Sequence, residues 1–311
     1  MSIGDSDISW ANLRQLLCRT FGESVPELAE VTPLLGGCIN CTLRLTLSDG
    51  FRCVLKVSPH RVTNVFVDEA HQIKTLGDAG VPVPRVYDAV VGELDHPFSY
   101  IMMEYVDGID LATAKRTLST AEFNDVQRQI AALLRQLHQN IGDHYARVVA
   151  DGSQHFDQWP TFFKQIYDDI WADVQHSKHL PIKCRKRIGK IHDKLGTLLA
   201  HDDCPRLVHW DLWNGNILVR KNDGTGKWEV AAIIDPNAKY AHAEAELAYL
   251  ELFHTANHTM LAAYQEETKL PTDYHRVRKP VYQLYQLLNH VRLFGSQYTE
   301  HTQAVLSHIP A

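Results

Sequence analysis

The sequence has 311 residues, of which 45% are hydrophobic and 22% are charged. Such a composition is typical of a soluble globular protein and excludes the collagenous, disordered and disulfide-rich classes. The 31 Lys and Arg against 37 Asp and Glu give a formal net charge of −6, which argues against a nucleic-acid surface or a basic membrane patch. No apolar run approaches the roughly 18 residues of a membrane-spanning helix.

The first ten residues show neither the basic nor the apolar region of a secretory signal. Six cysteines are scattered along the chain, so reduced thiols and a cytoplasmic location are expected. Cys38 and Cys41 have CxxC spacing, which leaves two interpretations open, a redox-sensitive pair or two idle thiols.

In chain order, the first third of the sequence alternates between helical and strand-like patterns. Apolar residues recur every three or four positions after Ser9, which predicts a helix that begins there. Strand patterns flank the turn Ser48-Asp49-Gly50. The predicted elements are a helix, three strands, a second helix and two further strands, over residues 9–21, 31–35, 42–47, 51–57, 63–78, 85–91 and 99–106.

Beyond residue 106 the pattern becomes mainly helical. Apolar spacing predicts helices over residues 120–139, 159–175, 182–200, 242–268 and 275–295, with short strands over residues 217–220 and 229–234. The sequence therefore predicts an α+β fold with two lobes and a cleft between them. Residues 1–106 would form a small antiparallel-sheet lobe with one key helix, and residues 107–311 a larger, mainly helical lobe.

One segment in the helical half carries a motif with chemical meaning. His209, Asp211 and Asn216 form H-x-D-x-x-x-x-N, the spacing of a kinase catalytic loop. In that chemistry the aspartate meets the acceptor hydroxyl and the asparagine turns back to Mg²⁺. A second metal ligand is expected at the end of a nearby strand, where Asp235 stands. These residues predict phosphoryl transfer from ATP with Mg²⁺ as cofactor.

The sheet half supplies candidates for the nucleotide. Lys56 lies within an apolar strand, where an unpaired ammonium is costly to bury. Glu69 on the following helix is a natural partner and matches the lysine–glutamate ion pair of kinases. The turn at Gly36 and Gly37 offers backbone amides that could cover ATP phosphates.

Residues 102–106 join the two predicted lobes, and main-chain groups of Glu104 and Val106 could hold adenine there. Each candidate has an ordinary alternative when taken alone, such as a hairpin turn, a snorkelling lysine, a solvated glutamate or a loop cap. Their joint order, with a sheet before the catalytic loop and helices after it, favours the kinase interpretation.

Three segments resemble the fructosamine/ketosamine-kinase family, within the aminoglycoside-phosphotransferase and choline-kinase group. Gly36-Gly37-Cys38-Ile39-Asn40 is similar to that family's GGxCIN loop, residues 209–216 to its HGDLWSGN motif, and residues 235–248 to its IDPxxxYGHxExDLA run. The last predicted helix is similar to that family's last long helix. The resemblance as a whole covers residues 9 to 298. It implies a protein-kinase-like fold and ATP-dependent phosphorylation of a sugar hydroxyl on a ketoamine formed by glycation of an amine.

The resemblance implies a role for each matched residue. Asp211 would be the catalytic aspartate, and Asn216 and Asp235 would be the Mg²⁺ ligands. Lys56, held by Glu69, would contact phosphate. His209 would support the loop rather than react.

Four residues depart from the family pattern. Leu35 replaces a third glycine of the phosphate loop, Ala241 replaces a glycine, and Glu246 replaces an aspartate. Trp210 stands where glycine is usual, and it is expected to place a bulky ring beside Asp211. The transfer machinery is untouched by these changes, so they bear on the acceptor pocket.

Candidates for the acceptor site are Trp213, Tyr285, Asn289 and His290. The Trp213 indole could stack on a sugar ring, or it could pack under the helical lobe. The other three lie on the last predicted helix, where helix packing or surface exposure is the alternative for each.

Other functions stay open at this stage. Within the same fold, the small-molecule acceptor could be an aminoglycoside, an amino sugar or an amino alcohol instead of a glycated amine. Outside enzymes, the chain could be a nucleotide-binding regulatory protein, although Lys56, Asp211 and Asp235, whose loss marks such proteins, are all present. No A-P-E segment follows Asp235 at activation-loop distance, which argues against a protein kinase.

Overall fold

The computed structural model describes residues 8–34, 41–58, 65–92, 98–201 and 203–310. These residues pack into two compact units. The first takes in the described part of Met1–Thr117 with Val149–Gly152 and Gly215–Pro236, and the second the described part of Leu118–Val148, Ser153–Asn214 and Asn237–Ala311. The units therefore interleave along the chain, whereas the sequence predicts one boundary near residue 106.

Strands and helices of the described chain are numbered in chain order. The strands are β1 (Leu28–Pro33), β2 (Cys41–Leu47), β3 (Arg52–Ser58), β4 (Val86–Val90), β5 (Ser99–Glu104), β6 (Ile109–Asp110), β7 (Ala146–Arg147), β8 (Arg206–Val208), β9 (Ile217–Lys221), β10 (Trp228–Ile233) and β11 (Lys239–Ala241). The helices are α1 (Trp10–Phe21), α2 (Val65–Asp78), α3 (Leu111–Ala114), α4 (Thr120–His138), α5 (Trp159–Val174), α6 (Ile182–Asp193), α7 (Leu195–Leu198), α8 (Ala243–Leu252), α9 (His258–Gln265), α10 (Lys279–Phe294) and α11 (Thr299–His308).

A five-stranded antiparallel sheet, with the strand order β1-β2-β3-β5-β4, is the core of the first unit. Strand β3 shows how its two faces are used. Cys53 and Leu55 are buried with α1 on one face, whereas Val54 packs with α2 on the other. Because side chains alternate along a strand, Lys56 shares the α2 face with Val54.

Helix α1 is fixed at both ends by local hydrogen bonds. The Ser9 hydroxyl accepts from the N–H of Asn12, and the Asn12 side chain accepts from the N–H of Ser9. Gly22 ends the helix with φ of +91°, and its N–H donates to the carbonyl of Cys18. The helix predicted over residues 9–21, with its start at Ser9, is thus confirmed.

A second sheet in the first unit has the strand order β10-β9-β6. Ile109 of β6 and Val230 of β10 both pair with Val219 of β9. Gly108 makes this approach possible, since a Cβ there would lie 3.0 Å from the carbonyl oxygen of Val219. This pairing brings the β9–β10 hairpin into the first unit, although it lies far beyond residue 106.

Helix α8 is central to the second unit, because every residue from Ala243 to Leu250 is buried. A helix buried on all faces must provide partners for its polar side chains. Glu244 meets this need by accepting from Nε and Nη2 of Arg278 at 2.6 and 2.7 Å. A three-stranded sheet, β7-β11-β8, completes the unit.

The prediction of a single helix over residues 242–268 was wrong, because two shorter helices, α8 and α9, form there. Helix α8 ends at Leu252, His254 has a positive φ of +53°, and the side chain of Asn257 accepts from the N–H of Met260 to begin α9. A left-handed residue ends a helix and an asparagine cap starts the next. The helix predicted over residues 182–200 likewise divides, at Lys194, into α6 and α7. Across the described ranges, no helix is both long enough and apolar enough to cross a membrane.

A pair of stacked histidines lies in the second unit. The rings of His201 and His242 have centroids 3.7 Å apart. Nδ1 of His201 accepts from the N–H of Asp203 at 3.0 Å, so this nitrogen carries no proton. Burial, and then the neighbouring His242, lower the pKa of His201 to about 3. The folded protein therefore keeps a neutral imidazole at pH values where the unfolded chain binds a proton.

We expect His201 to weaken the fold in acid. From its ordinary pKa of 6.5 down to about 3, the unfolded chain binds more protons than the folded chain, so stability falls with pH in this window and is unaffected above it. The variant His201→Asn lacks this titration. Its urea midpoint should therefore fall less than that of wild type between about pH 7.5 and about pH 4.5. Equal falls in the two proteins would contradict the expectation.

Candidate functional site

Lys56 is the centre of an ion-pair cluster in the first unit. Its Nζ donates to Oε1 of Glu69 at 2.6 Å and to Oδ1 of Asp235. Only 13% of the Lys56 side chain and 12% of the Glu69 side chain are exposed. Burial alone would lower the pKa of Lys56, but Glu69 and Asp235 together raise it above its ordinary value. The ammonium is thus a fixed positive charge between two carboxylates.

Asp235 and Asn216 are brought together by the ends of the β9–β10 hairpin. The N–H of Ile234 donates to the carbonyl of Asn216 at 3.0 Å, and Asn216 is buried. Asp235 lies two residues after the end of β10 and has a positive φ of +56°. One carboxylate and one amide oxygen, completed by phosphate oxygens, are a donor set that suits Mg²⁺. The two predicted metal ligands therefore fit the ion by chemistry and by local placement.

The residues expected to hold adenine and phosphate are only partly described. Glu104 ends β5, and its N–H donates to the carbonyl of Arg85 at 2.8 Å while its carboxylate accepts from the N–H of Arg85 at 3.0 Å. Val106 follows two residues later. Gly36 and Gly37, with the neighbouring Leu35 and Cys38, lie outside the described residues.

The catalytic-loop segment of the second unit follows β8. His209 is buried, its Nδ1 accepts from the N–H of Asp211 at 3.3 Å, and its carbonyl accepts from the N–H of Asn237 at 3.0 Å. These contacts tie the loop to the strand that follows Asp235, as a supporting role for His209 would require.

Trp210 has a backbone conformation that is rare for a bulky residue, with φ of +70°. Its N–H donates to Oε1 of Glu246 at 2.7 Å inside the unit. A left-handed residue of this kind costs on the order of 1–3 kcal/mol unless its surroundings hold it. The hydrogen bond to Glu246 is one such restraint.

The Trp210 ring, expected as a bulky group beside Asp211, is buried. It packs against the rings of Trp159 and Tyr285, with centroids 6.3 and 5.9 Å away. Nζ of Lys239 lies 4.7 Å from its centroid. The ring therefore serves the core behind the loop.

Lys239 is a lysine buried in that core, which is unexpected for this residue type, and only 1% of it is exposed. Its Nζ donates to the carbonyl and side-chain oxygens of Asn237 at 2.7 and 2.8 Å. Burial, and then the nearby Arg147, lower the pKa of Lys239 well below its ordinary value, against the opposing effect of Asp211.

Asp211 has a partner that the sequence does not suggest. The Tyr249 hydroxyl on α8 donates to Oδ1 of Asp211 at 2.6 Å. Burial and the adjacent carboxylate raise the pKa of Tyr249 far above its ordinary value, so the phenol stays protonated and donates. Tyr249 and Glu246 thus both reach the Asp211 loop from one helix.

The four acceptor candidates lie in different environments. Trp213 is 42% exposed, so part of its ring is open to solvent. Tyr285 is buried among the rings of Phe163, Tyr167 and Trp210, which favours a packing role. The Asn289 side chain accepts from Arg292, and His290 packs against Phe253 in a tilted arrangement with 4.6 Å between centroids.

Sequence reasoning missed Tyr249 and Lys239, which lie close to the Asp211 loop, and His138, whose Nε2 lies 2.9 Å from Oε2 of Glu246. Tyr249 falls in an apolar stretch and meets a partner 38 positions away, so no local spacing reveals it. Lys239 follows a polar loop and would be taken for a surface residue. Glu246 was noticed only as a departure from a family pattern, without its contact to Trp210.

Comparison with known proteins gives the decisive observation, because residues 9–311 match the sequence profile of the family described as fructosamine kinase. The chain belongs to the fructosamine kinase family. A probable ketoamine kinase of Enterococcus faecium is 27% identical over 286 residues, which cover 89% of this chain and 94% of that protein.

Solved structures agree on the fold. A Thermobifida fusca protein provisionally named a fructosamine-3-kinase has a TM-score of 0.72 at 24% identity, over 95% of this chain and 98% of its own. A thermostable mutant of the aminoglycoside phosphotransferase APH(4)-Ia, in a ternary complex with ADP and hygromycin B, has a TM-score of 0.71 at 17% identity, over 96% and 98%. The predicted α+β, protein-kinase-like fold is confirmed. As a member of the fructosamine kinase family, the chain is an ATP-dependent kinase that acts on a sugar hydroxyl.

Proposed function

We propose that this chain transfers the γ-phosphoryl group of Mg-ATP to a sugar hydroxyl of a ketoamine, the adduct of a sugar and an amine. Family membership and relatives named as probable ketoamine kinases support this acceptor. The ADP complex of the related aminoglycoside phosphotransferase supports an adenine nucleotide as the donor.

The observation that carries the proposal is the pairing of Lys56 with both Glu69 and Asp235. Asp235 is 179 positions from Lys56 in sequence, yet both carboxylates meet one ammonium. Kinases use this set of groups at the phosphate site, where the lysine contacts phosphate, the glutamate holds the lysine and the aspartate binds Mg²⁺.

On the nucleotide side, Lys56 would contact phosphate oxygens, and Asn216 and Asp235 would hold the cation. When bound, Mg²⁺ neutralises charge on the phosphate oxygens. Main-chain groups at Glu104 and Val106 would hold adenine, and the amides of Gly36 and Gly37 would cover the phosphates.

On the acceptor side, Asp211 would orient the sugar hydroxyl and receive its proton. The acceptor oxygen forms a bond to the γ-phosphorus as the bond to the β,γ-bridging oxygen breaks and ADP leaves. Because this chemistry depends mainly on placement and charge, few side chains are needed. The hydrogen bonds from Tyr249 to Asp211 and from Asp211 to His209 would supply that placement.

The proposal is tested by measuring ADP release with Mg-ATP and a panel of acceptors. The panel contains fructosyl- and ribulosyl-lysine, free amino sugars, aminoglycosides and choline, with a blank that lacks acceptor. Turnover on the ketoamines supports the proposal. Turnover only on another class of acceptor would show a kinase with a different substrate and overturn the ketoamine proposal. Silence throughout, with ATP binding shown by calorimetry, would likewise overturn the ketoamine acceptor.

Tyr249→Phe should lower kcat about 10- to 150-fold without changing the KM for ATP, because a hydrogen bond to a charged group contributes about 1.5–3 kcal/mol. The phenylalanine ring keeps the packing and removes only the donor to Asp211. Steady-state kinetics with a ketoamine measure the effect. A matched control is Tyr240→Phe, on β11. An unchanged kcat in Tyr249→Phe would show that the hydroxyl does not position Asp211.

A further inference from the structure

A continuous series of rings extends from the catalytic-loop aspartate along the second unit. We call it the aromatic ladder, and it consists of Tyr249, Phe253, His290, Tyr298 and Phe294. Successive centroids lie 4.8 Å apart from Tyr249 to Phe253, 4.6 Å from Phe253 to His290, and 4.8 Å from His290 to Tyr298. Phe294 lies 5.6 Å from His290 and 6.0 Å from Tyr298. The ladder starts at Asp211, because Tyr249 donates to its carboxylate.

Exposure increases along the ladder. Tyr249 is 4% exposed, Phe253 and His290 are half-buried, and Phe294 is 43% exposed. Core packing accounts for the inner end, since buried aromatic rings stabilise each other in these arrangements. The outer end, by contrast, presents part of the Phe294 ring to solvent, where a ligand can contact it.

The ladder carries neither a carboxylate nor a permanent cation. Its histidine, His290, forms a hydrogen bond from Nδ1 to the carbonyl of Gln286 at 2.8 Å. Burial lowers the pKa of His290, so the ring is neutral near pH 7. The ladder therefore offers aromatic contacts to a ligand rather than an ion pair.

A ketoamine has two parts, the sugar that carries the reacting hydroxyl and the substituent on its amine. If Asp211 takes the hydroxyl, the substituent extends away from Asp211. We propose that the aromatic ladder binds the amine substituent of the acceptor and favours substituents that are aromatic or apolar. This inference rests on the proposed function, and it names the part of the acceptor that the function leaves undefined.

The test compares three acceptors, N-methyl-fructosamine, N-benzyl-fructosamine and Nε-fructosyl-lysine, by ADP release. Wild type should have a lower KM for the benzyl compound than for the methyl compound. Phe294→Ala should raise the KM for the benzyl compound about 2- to 10-fold, the equivalent of one lost aromatic contact, with little change in kcat. The KM ratio of the two compounds should fall accordingly.

Leu293→Ala is the matched control, because Leu293 is the neighbouring residue on α10, is 54% exposed and is not one of the aromatic ladder residues. It should leave the KM ratio unchanged. Both variants alter exposed side chains, and their unfolding midpoints should match that of wild type.

Two results would overturn the inference alone. One is turnover of ketoamines with the same KM change for the methyl and benzyl compounds in Phe294→Ala. The other is a preference for the lysine adduct that Phe294→Ala abolishes, since the ladder would then bind a cation. If wild type turns over no ketoamine, the proposed function fails, and the inference fails with it.

Discussion

Asp211→Asn should lower kcat with a ketoamine acceptor by about 10²–10⁴-fold, the range typical of a lost general acid or base. In the wild type, the Tyr249 hydroxyl donates to Oδ1 of Asp211. Asparagine has nearly the same shape as aspartate, and its side-chain oxygen can still accept this hydrogen bond. It cannot take a proton from the sugar hydroxyl. The loop should therefore keep its conformation while the chemical step becomes slow.

The Kd for ATP should be largely unchanged in Asp211→Asn, since the groups proposed to hold the nucleotide are Lys56, Asn216 and Asp235. Calorimetry with ATP, next to ADP release, separates the two effects. A matched control is Asp125→Asn, an exposed partner of Arg128 on α4, which should leave kcat unchanged. A kcat within a few-fold of wild type in Asp211→Asn would remove this aspartate from the catalytic role.

The members of the Lys56 cluster could be anticipated from the sequence because each has a local signal, although the contact between Lys56 and Asp235 was not predicted. A lysine in an alternating strand must point to one face of the sheet, and a glutamate on the next helix is a natural partner for it. Asp235 is predictable because it follows an apolar, strand-like run that comes after a recognisable turn. Short-range patterns of this kind specify which elements form, and the sheet then brings their ends together.

The surroundings of Asp211 could not be anticipated in the same way. Strands β6, β7, β8 and β11 have two or three residues each, too few for a period of two to be visible. The break between α8 and α9 depends on one left-handed residue, His254, in a sequence with no glycine or proline at that point. Partners such as Tyr249 and Asp211 meet only once these elements have packed.

The backbone conformation of Trp210 explains why the family pattern has glycine at this position. Its φ is +70°, a value that a residue without Cβ adopts at little cost. A tryptophan there requires compensation. The structure provides it through the hydrogen bond to Glu246 and through a ring buried against Trp159, Tyr285 and Lys239. Two departures from the pattern, Trp210 and Glu246, are therefore in direct contact.

Glu246 anchors a chain of buried hydrogen bonds that ends at the catalytic loop. Its Oε1 accepts from the N–H of Trp210 at 2.7 Å, and its Oε2 lies 2.9 Å from Nε2 of His138. Nδ1 of His138 lies 2.8 Å from the hydroxyl of Tyr264. Burial raises the pKa of Tyr264 far above its ordinary value, so this phenol is a donor and His138 donates in turn to Glu246.

Glu246→Ala should destabilise the protein by about 2–5 kcal/mol, because it leaves two buried donors without an acceptor. It should also lower kcat, since Trp210 loses a restraint on its left-handed backbone and Asp211 is the next residue. Glu246→Gln is the matched variant. Its amide oxygen can accept from Trp210 and its NH₂ can donate to the other tautomer of His138, so most of the stability and the rate should return. Urea unfolding and ADP release measure both effects, and a loss in Glu246→Gln as large as that in Glu246→Ala would show that the hydrogen bonds are not what holds the loop.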